Sequence, residues 1–300
     1  MVNVPIIIGS AKAQARFSKE NQAFLEECPR VYDLLHKVFI RTLAPPTPAE
    51  FASIQDLPED SAPVNEFFNK MLADRTVFYL GRIAGDDFNE LFTLAGNGYG
   101  FGALKILRSM YEHTVTAAFI AKNPSQSEHF ANDSAIKKGK IWKKMVEWMP
   151  EIADRYTTEQ RDWLDKNYKE ALVKLKSSMC KKCGQPVTQE AWTRVDLDTM
   201  AKKTDDNLAF LYSACYLEPL CHSHATSFGL ELHLVETEDA VKYRDESPTE
   251  ARKAIMLGHN LILRVIALQN GYFHLGLDGE VIAASDGYSK IWGQGHQEQK

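Results

Sequence analysis

Apolar side chains recur at steps of three and four along most of this chain, and that periodicity restricts the possible folds more than any other feature. The clearest run is Leu104, Leu107, Tyr111, Val115, Ala118 and Phe119, one stripe of a single helix ending near Asn123 and Pro124. Between Gln14 and Leu43, Phe17, Phe24, Leu25, Tyr32, Leu35, Val38 and Phe39 follow the same rule, with Pro29 expected in the first turn of a second helix. Further helices are expected over 64–94, 127–149, 157–176 with Thr157 as cap, 196–203, 207–220 and 249–271. Pro45, Pro46, Pro48, Pro58 and Pro63 mark 44–63 as a connecting loop, and the glycine cluster 96–102 as a bend that allows close helix packing. Strand-like runs are confined to Val4–Ile8 and Glu280–Ala283, short and near the ends, where they could pair. The expected fold class is therefore all-α, a multi-helix bundle with room for a small zinc-knuckle insertion.

Three regions follow from this pattern. Residues 1–63 hold N-terminal helices and the Pro-rich connector. Residues 64–271 form the main bundle, with an irregular insertion at 177–195, and 272–300 read as a polar C-terminal tail that frays. At 300 residues, with 44% hydrophobic and 25% charged side chains, the chain can bury a sizeable core. Its net charge of -5 argues against a dedicated nucleic-acid binder, though a local basic patch could sit inside an acidic total. Val4–Ile8 is too short for a signal core, and no stretch reaches the roughly 18 apolar residues of a membrane span. The five scattered cysteines (Cys28, Cys180, Cys183, Cys215 and Cys221) suit a reducing compartment, so a cytoplasmic location without membrane association is expected.

Three groups could carry chemistry. Arg108 and Glu112 lie one helical turn apart beside the apolar stripe, where mutual pairing offsets partial desolvation and where an inward-facing polar site is the functional alternative. Arg108 and His113 also make an Arg-x4-His, a spacing similar to that of the HEPN superfamily, whose ribonuclease members use an arginine and a histidine of one helix, usually across a dimer. On a regular helix the two side chains leave the axis roughly 140° apart, so a second subunit or a distortion is needed to unite them. Cys180-x-x-Cys183-Gly184 looks like one knuckle of a zinc ribbon, and Cys221-x-x-His224 is the best candidate for the other two ligands of one structural zinc. Cys215, about two turns before Cys221, is a poorer partner. His222, His224 and Thr226, with Tyr212 and Tyr216 before them, form the third group; neutral imidazole can act as base or ligand near pH 7, or simply cap a helix end. No Gly-x-Ser-x-Gly elbow is present, and the glycine cluster lacks the Gly-Lys-Ser/Thr ending of a phosphate loop.

Gly98-Tyr99-Gly100 through Leu104, Arg108 to His113 and Val115, with Trp192-Thr193, Met200 to Lys203, Tyr212 and His224-Ala225-Thr226, resemble the bacterial domain-of-unknown-function family 5677. The resemblance covers about 64–268. It implies a helical fold in a bacterial protein, with a polar cluster at Arg108, Glu112, Tyr212 and His224, and brings no reaction with it; spacing also allows His222 in place of His224. Two functional classes stay open. One is a HEPN-like, metal-independent ribonuclease of a toxin or phage-defence system, with Arg108 and Glu112 in the site, His113 or His224 as acid/base, RNA as partner and a homodimer to complete it. The other is a non-catalytic helical module that binds a protein or small ligand and holds one structural zinc at Cys180, Cys183, Cys221 and His224.

Overall fold

The computed structural model describes residues 10–41, 43, 45–179, 186–188, 192–193, 195–237, 239–244 and 246–293, and only the backbone of 175–179, 186–188 and 206. The described residues are overwhelmingly helical. In chain order they form α1 (Ala11–Glu20), α2 (Gln22–Phe39), α3 (Pro48–Ala52), α4 (Ala62–Gly96), α5 (Gly100–Lys122), α6 (Ser127–Trp148) and α7 (Thr158–Leu175). A hairpin of β1 (Lys176–Met179) and β2 (Pro186–Thr188) follows, then α8 (Leu197–Thr204), α9 (Asp206–Tyr212), a π-helical turn (Ser213–Leu217), α10 (Glu218–Ser223) and α11 (Ser227–Leu232). A second hairpin, β3 (Leu234–Glu236) and β4 (Val241–Tyr243), leads into α12 (Pro248–Phe273) and α13 (Asp278–Trp292). Both hairpins are antiparallel, and neither contributes to a larger sheet among the described residues. Among those residues no helix is long and apolar enough to cross a membrane.

The chain divides into two compact units, one drawn from 1–44, 77–119 and 197–300, the other from 45–76 and 120–196. In the first, fully buried side chains from four helices make the core: Phe24 and Leu34 of α2, Phe88 and Leu91 of α4, Leu104, Leu107 and Tyr111 of α5, and Ile255 and Leu261 of α12. The bend after α4 carries its glycines for two reasons. Gly98 adopts φ +88°, and at Gly100 a Cβ would run into the Ser247 carbonyl and lie 2.5 Å from the Ala251 nitrogen. That closeness lets Ser247, at the start of α12, receive the Phe101 N–H on its Oγ (3.1 Å) and give its own N–H to the Gly98 carbonyl (3.2 Å). In the second unit α6 and α7 lie antiparallel, tied by Lys174 to Glu128 (2.8 Å) and packed through Ile136, Tyr168 and Ala171. Thr157 caps α7 as expected: its Oγ1 accepts from the Gln160 N–H (3.3 Å) while Gln160 Oε1 accepts from the Thr157 N–H (2.9 Å).

Four sequence expectations need correction. The helix break comes at Asn21, and Pro29 lies inside α2. A proline there costs about 3 kcal/mol, which burial of Phe24, Val31, Leu34 and Val38 exceeds at about 1.5–3 kcal/mol each. The proline-rich connector holds α3, nucleated by a capping box between Thr47 and Glu50 with Pro48 in its first turn. Glu280–Ala283, read as strand-like, belongs to α13, whose first turn carries Asp278 and Glu280 at the positive end of the helix dipole. The stretch read as a fraying tail therefore contains a packed helix. Asn270 joins it to α12, donating to Asp278 Oδ1 (2.7 Å) and accepting from the Leu277 N–H (2.8 Å).

Candidate functional site

The central helix α5 presents different chemistry on different sides. Arg108 Nε lies 3.0 Å from Glu112 Oε1, so the expected pair forms, although its N–H does not aim at that oxygen in a well-aligned hydrogen bond. Its guanidinium carbon stands 4.8 Å from the centre of the Tyr216 ring, a cation–π contact with a side chain only 21% exposed. Tyr216 stacks on Tyr212 (5.2 Å, 22°), and both rings approach Tyr111, whose hydroxyl donates to the Leu208 carbonyl at 2.8 Å. The π turn that delivers Tyr216 has a local cause. Pro219 has no N–H to return to Cys215, and the preceding Glu218 N–H bonds instead to the Ser213 carbonyl, five residues back. Cys215 inside that turn is buried, and desolvation pushes its thiol up to about 12, well away from thiolate chemistry.

His113 points elsewhere. Its Nδ1 lies 2.7 Å from Oδ2 of Asp87 on α4, a pairing that fixes the imidazole as a carboxylate orients a general base. Arg108 faces the tyrosines of α9 and the π turn, so the divergence expected of an Arg-x4-His on one regular helix is what the side chains display.

A third constellation lies at the N-terminal end of α5. Phe101 is flanked by His222 of α10 (ring centres 4.7 Å) and by His233, the residue after α11 (4.2 Å). His233 stacks on Tyr243 of β4 (5.5 Å, 12°), and the Tyr243 hydroxyl sits 3.2 Å from His233 Nδ1. The hairpin creates this contact, because its register places Leu234 opposite Tyr243 at the open end. His222, His233 and Tyr243 border a cavity of about 470 Å³ that also takes in Cys221, His224 and Thr226. His222 is buried, and its Nδ1 has no hydrogen-bond partner among the described residues. Desolvation is the main cause that holds both imidazoles below the usual histidine range; His233 and Lys105 lower His222 further, while Lys105 and Arg244 do the same to His233. Both rings are thus neutral near pH 7, each with one donor and one acceptor nitrogen.

Of the residues singled out from the sequence, Arg108, Glu112 and Tyr212 come together, and so do Cys221, His222 and His224. No hydrogen bond, ion pair or ring contact joins Arg108 or Glu112 to His224 among the described residues. Cys180 and Cys183 lie outside the described residues, so the knuckle itself has no placement here. Among the described residues no three His, Cys, Asp or Glu side chains are arranged to share a metal ion, and Cys221 with His224 supply at most half a set. Sequence reasoning passed over Asp87, Phe101, His233 and Tyr243. His233 carried a faint signal as an imidazole between Leu232 and Leu234, and Asp87 as a carboxylate on the apolar helix that ends in the glycine cluster.

No curated protein and no solved structure matches the chain. A family model does, that of the family of unknown function DUF5677, over residues 82–241. The matched stretch contains Arg108, Glu112, Tyr212 and His224, which carried the resemblance in the sequence, and also His222, Cys180 and Cys183. Because it spans more than half of the sequence, the chain belongs to this family of unknown function.

Proposed function

We propose that the chain is a cytoplasmic helical module that binds a small planar ligand in the cavity bordered by His222, His233 and Tyr243. The observation that carries the reading is that His222, whose buried Nδ1 has no hydrogen-bond partner among the described residues, lines a cavity sized for a small molecule. A buried polar nitrogen without a partner costs about 1–3 kcal/mol, which a ligand offering the matching donor or acceptor recovers. Aromatic surfaces from His233 and Tyr243 favour a flat ligand, and the Tyr243 hydroxyl limits how the His233 imidazole turns. The test is a titration of planar nitrogen heterocycles and aromatic carboxylates, each to about 1 mM, watched through the histidine ring protons by NMR. Expected are shifts at His222 and His233 that disappear in His222→Phe. Fragments that bind that variant as well as the parent, or a full set that moves neither ring, would sink the reading.

The HEPN-like ribonuclease of a bacterial defence system is a second reading, favoured by the orientation of His113 through Asp87. In that reading His113 is the acid/base, Arg108 stabilises charge on the transferring phosphate, and a homodimer unites side chains that diverge within one chain. RNA cleavage by the purified protein that is unchanged in Arg108→Ala, His113→Ala and His224→Ala would remove it. Structural zinc at Cys180, Cys183, Cys221 and His224 is separable from both readings. Metal analysis of protein purified without chelator decides it, and a negligible zinc content ends it.

A further inference from the structure

From α6 we infer a binding surface for single-stranded nucleic acid, lying in the second unit and independent of the histidine cavity. The helix buries Asp133, Ile136, Gly139 and Trp142, and α7 covers that face through Tyr168, Ala171 and Leu172. What remains outside is not an ordinary solvated surface. Between 137 and 148 the sequence holds five lysines against a single glutamate, in a chain whose net charge is -5. Lys137, Ile141, Lys144 and Trp148 follow one another at steps of four, three and four, so they share one face over about 16 Å, and Lys140 borders it. Trp148 is 74% exposed and Ile141 60%; Ile141 stands between lysines, and Trp148 closes the face one turn beyond Lys144. Lys144 leans over the Trp148 ring at 5.6 Å, which places a cation beside an open aromatic face.

Charge and shape together select the partner. A ladder of lysines, one per helical turn, complements a chain of regularly spaced phosphates, and an open indole is a platform on which a base stacks. A duplex hides the faces of its bases, so the exposed indole favours a single strand. An anionic bilayer fits less well: the apolar side of α6 is already used against α7, and Ile141 and Trp148, separated by Lys144, give no continuous apolar face to insert. Lys137 and Lys144 keep carboxylate neighbours, Asp133 at 2.7 Å and Glu147 at 2.9 Å, yet both remain largely exposed and can turn to phosphate. Lys138 and Lys140 are exposed as well.

The experiment uses the full chain and fluorescein-labelled RNA and DNA strands of about 20 nucleotides, read by anisotropy at about 50 and 200 mM salt. Binding is expected to weaken by about tenfold to twentyfold between those salts, as for roughly three phosphate contacts by a single strand. Lys140→Glu with Lys144→Glu should lower affinity at least about tenfold, and Trp148→Ala by about tenfold, the loss of one stacked base. Because all three positions are exposed, circular dichroism should not change; the milder Lys140→Gln with Lys144→Gln gives the same ordering if the double glutamate variant misfolds. Lys166→Glu on α7 serves as the charge control and should leave binding as it was. The surface is overturned by three results: neither strand binding at the lower salt, binding indifferent to the α6 substitutions, or lysine-dependent binding seen only with vesicles of phosphatidylcholine and phosphatidylglycerol.

Discussion

Gly98, Gly100 and Gly102 stand at alternate positions, yet their surroundings differ. A Cβ at Gly100 would be driven into the backbone of α12's first turn, at the Ser247 carbonyl and Ala251 nitrogen, where nothing flexible can yield. Gly102 is unlike it: a Cβ there would meet Leu94 Cδ1 at 3.5 Å, an ordinary contact. The two substitutions should therefore have opposite signs. Gly100→Ala is expected to destabilise by about 1–3 kcal/mol, as overpacking does, and Gly102→Ala to stabilise by up to about 0.5–1 kcal/mol through helix propensity. Urea unfolding of the two variants decides it, and equal effects would mean that α5 and α12 are not held as closely as the Phe101–Ser247 bond requires. Local signals of this kind were legible in the sequence, since a glycine cluster between two apolar stripes marks a bend and an Arg-x3-Glu on one helix marks a pair. His113 marks the boundary of legibility. Its partner Asp87 lies 26 residues away on another helix, and no spacing rule connects them.

Helices were legible where their apolar stripe is wide and obscure where it is narrow. α5 and α12 announce themselves by dense stripes, whereas α13 buries only Ala284 fully and looks polar in sequence. Yet α13 closes over a consequential residue of α12. His259 is fully buried beside Phe24 and Tyr288, and its Nδ1 accepts the indole N–H of Trp292 at 3.2 Å, which leaves the ring proton on Nε2. Burial drops its pKa to about 4. The unfolded imidazole takes a proton near pH 6.5, while the folded one refuses it until about 4, so stability is full above the higher value and falls as pH falls between the two. The loss approaches about 3 kcal/mol by pH 4. His222 and His233 are also shifted downward and add losses of the same sign, so the comparison must be with His259→Phe. That variant should lose about one proton's worth of slope in urea-unfolding free energy from pH 6.5 to 4.5. A slope identical to the parent's would show that His259 does not carry the effect.

The family match and the folded units do not share boundaries. Residues 82–241 take in α5 to α11 but omit α1, α2, α12 and α13, which belong to the same compact unit as the candidate cavity. The omitted helices are not decoration on a smaller core. Gly258 of α12 lies so close to Leu91 and Phe88 that a Cβ would fall 3.1 Å from Leu91 Cδ1, and Tyr32 of α2 meets Phe88 at 6.3 Å between ring centres. Ile255, Leu261, Ile262 and Ile266 are all fully buried, and four such side chains at about 1.5–3 kcal/mol each rival the entire stability of an ordinary domain, about 5–15 kcal/mol. Sequence periodicity could show that α12 was a helix without showing that it completes a core begun more than a hundred residues earlier, because stripe and partner are matched only in three dimensions. A chain cut to 82–241 should therefore fail to fold cooperatively although it contains every candidate site residue of α5 and α10. Its amide spectrum should be poorly dispersed, and the amides around Leu104, Leu107 and Tyr111 should lose their protection from hydrogen exchange. Protection at those three positions equal to the full chain's would mean that the matched segment carries its own core, and that α2 and α12 merely cover it.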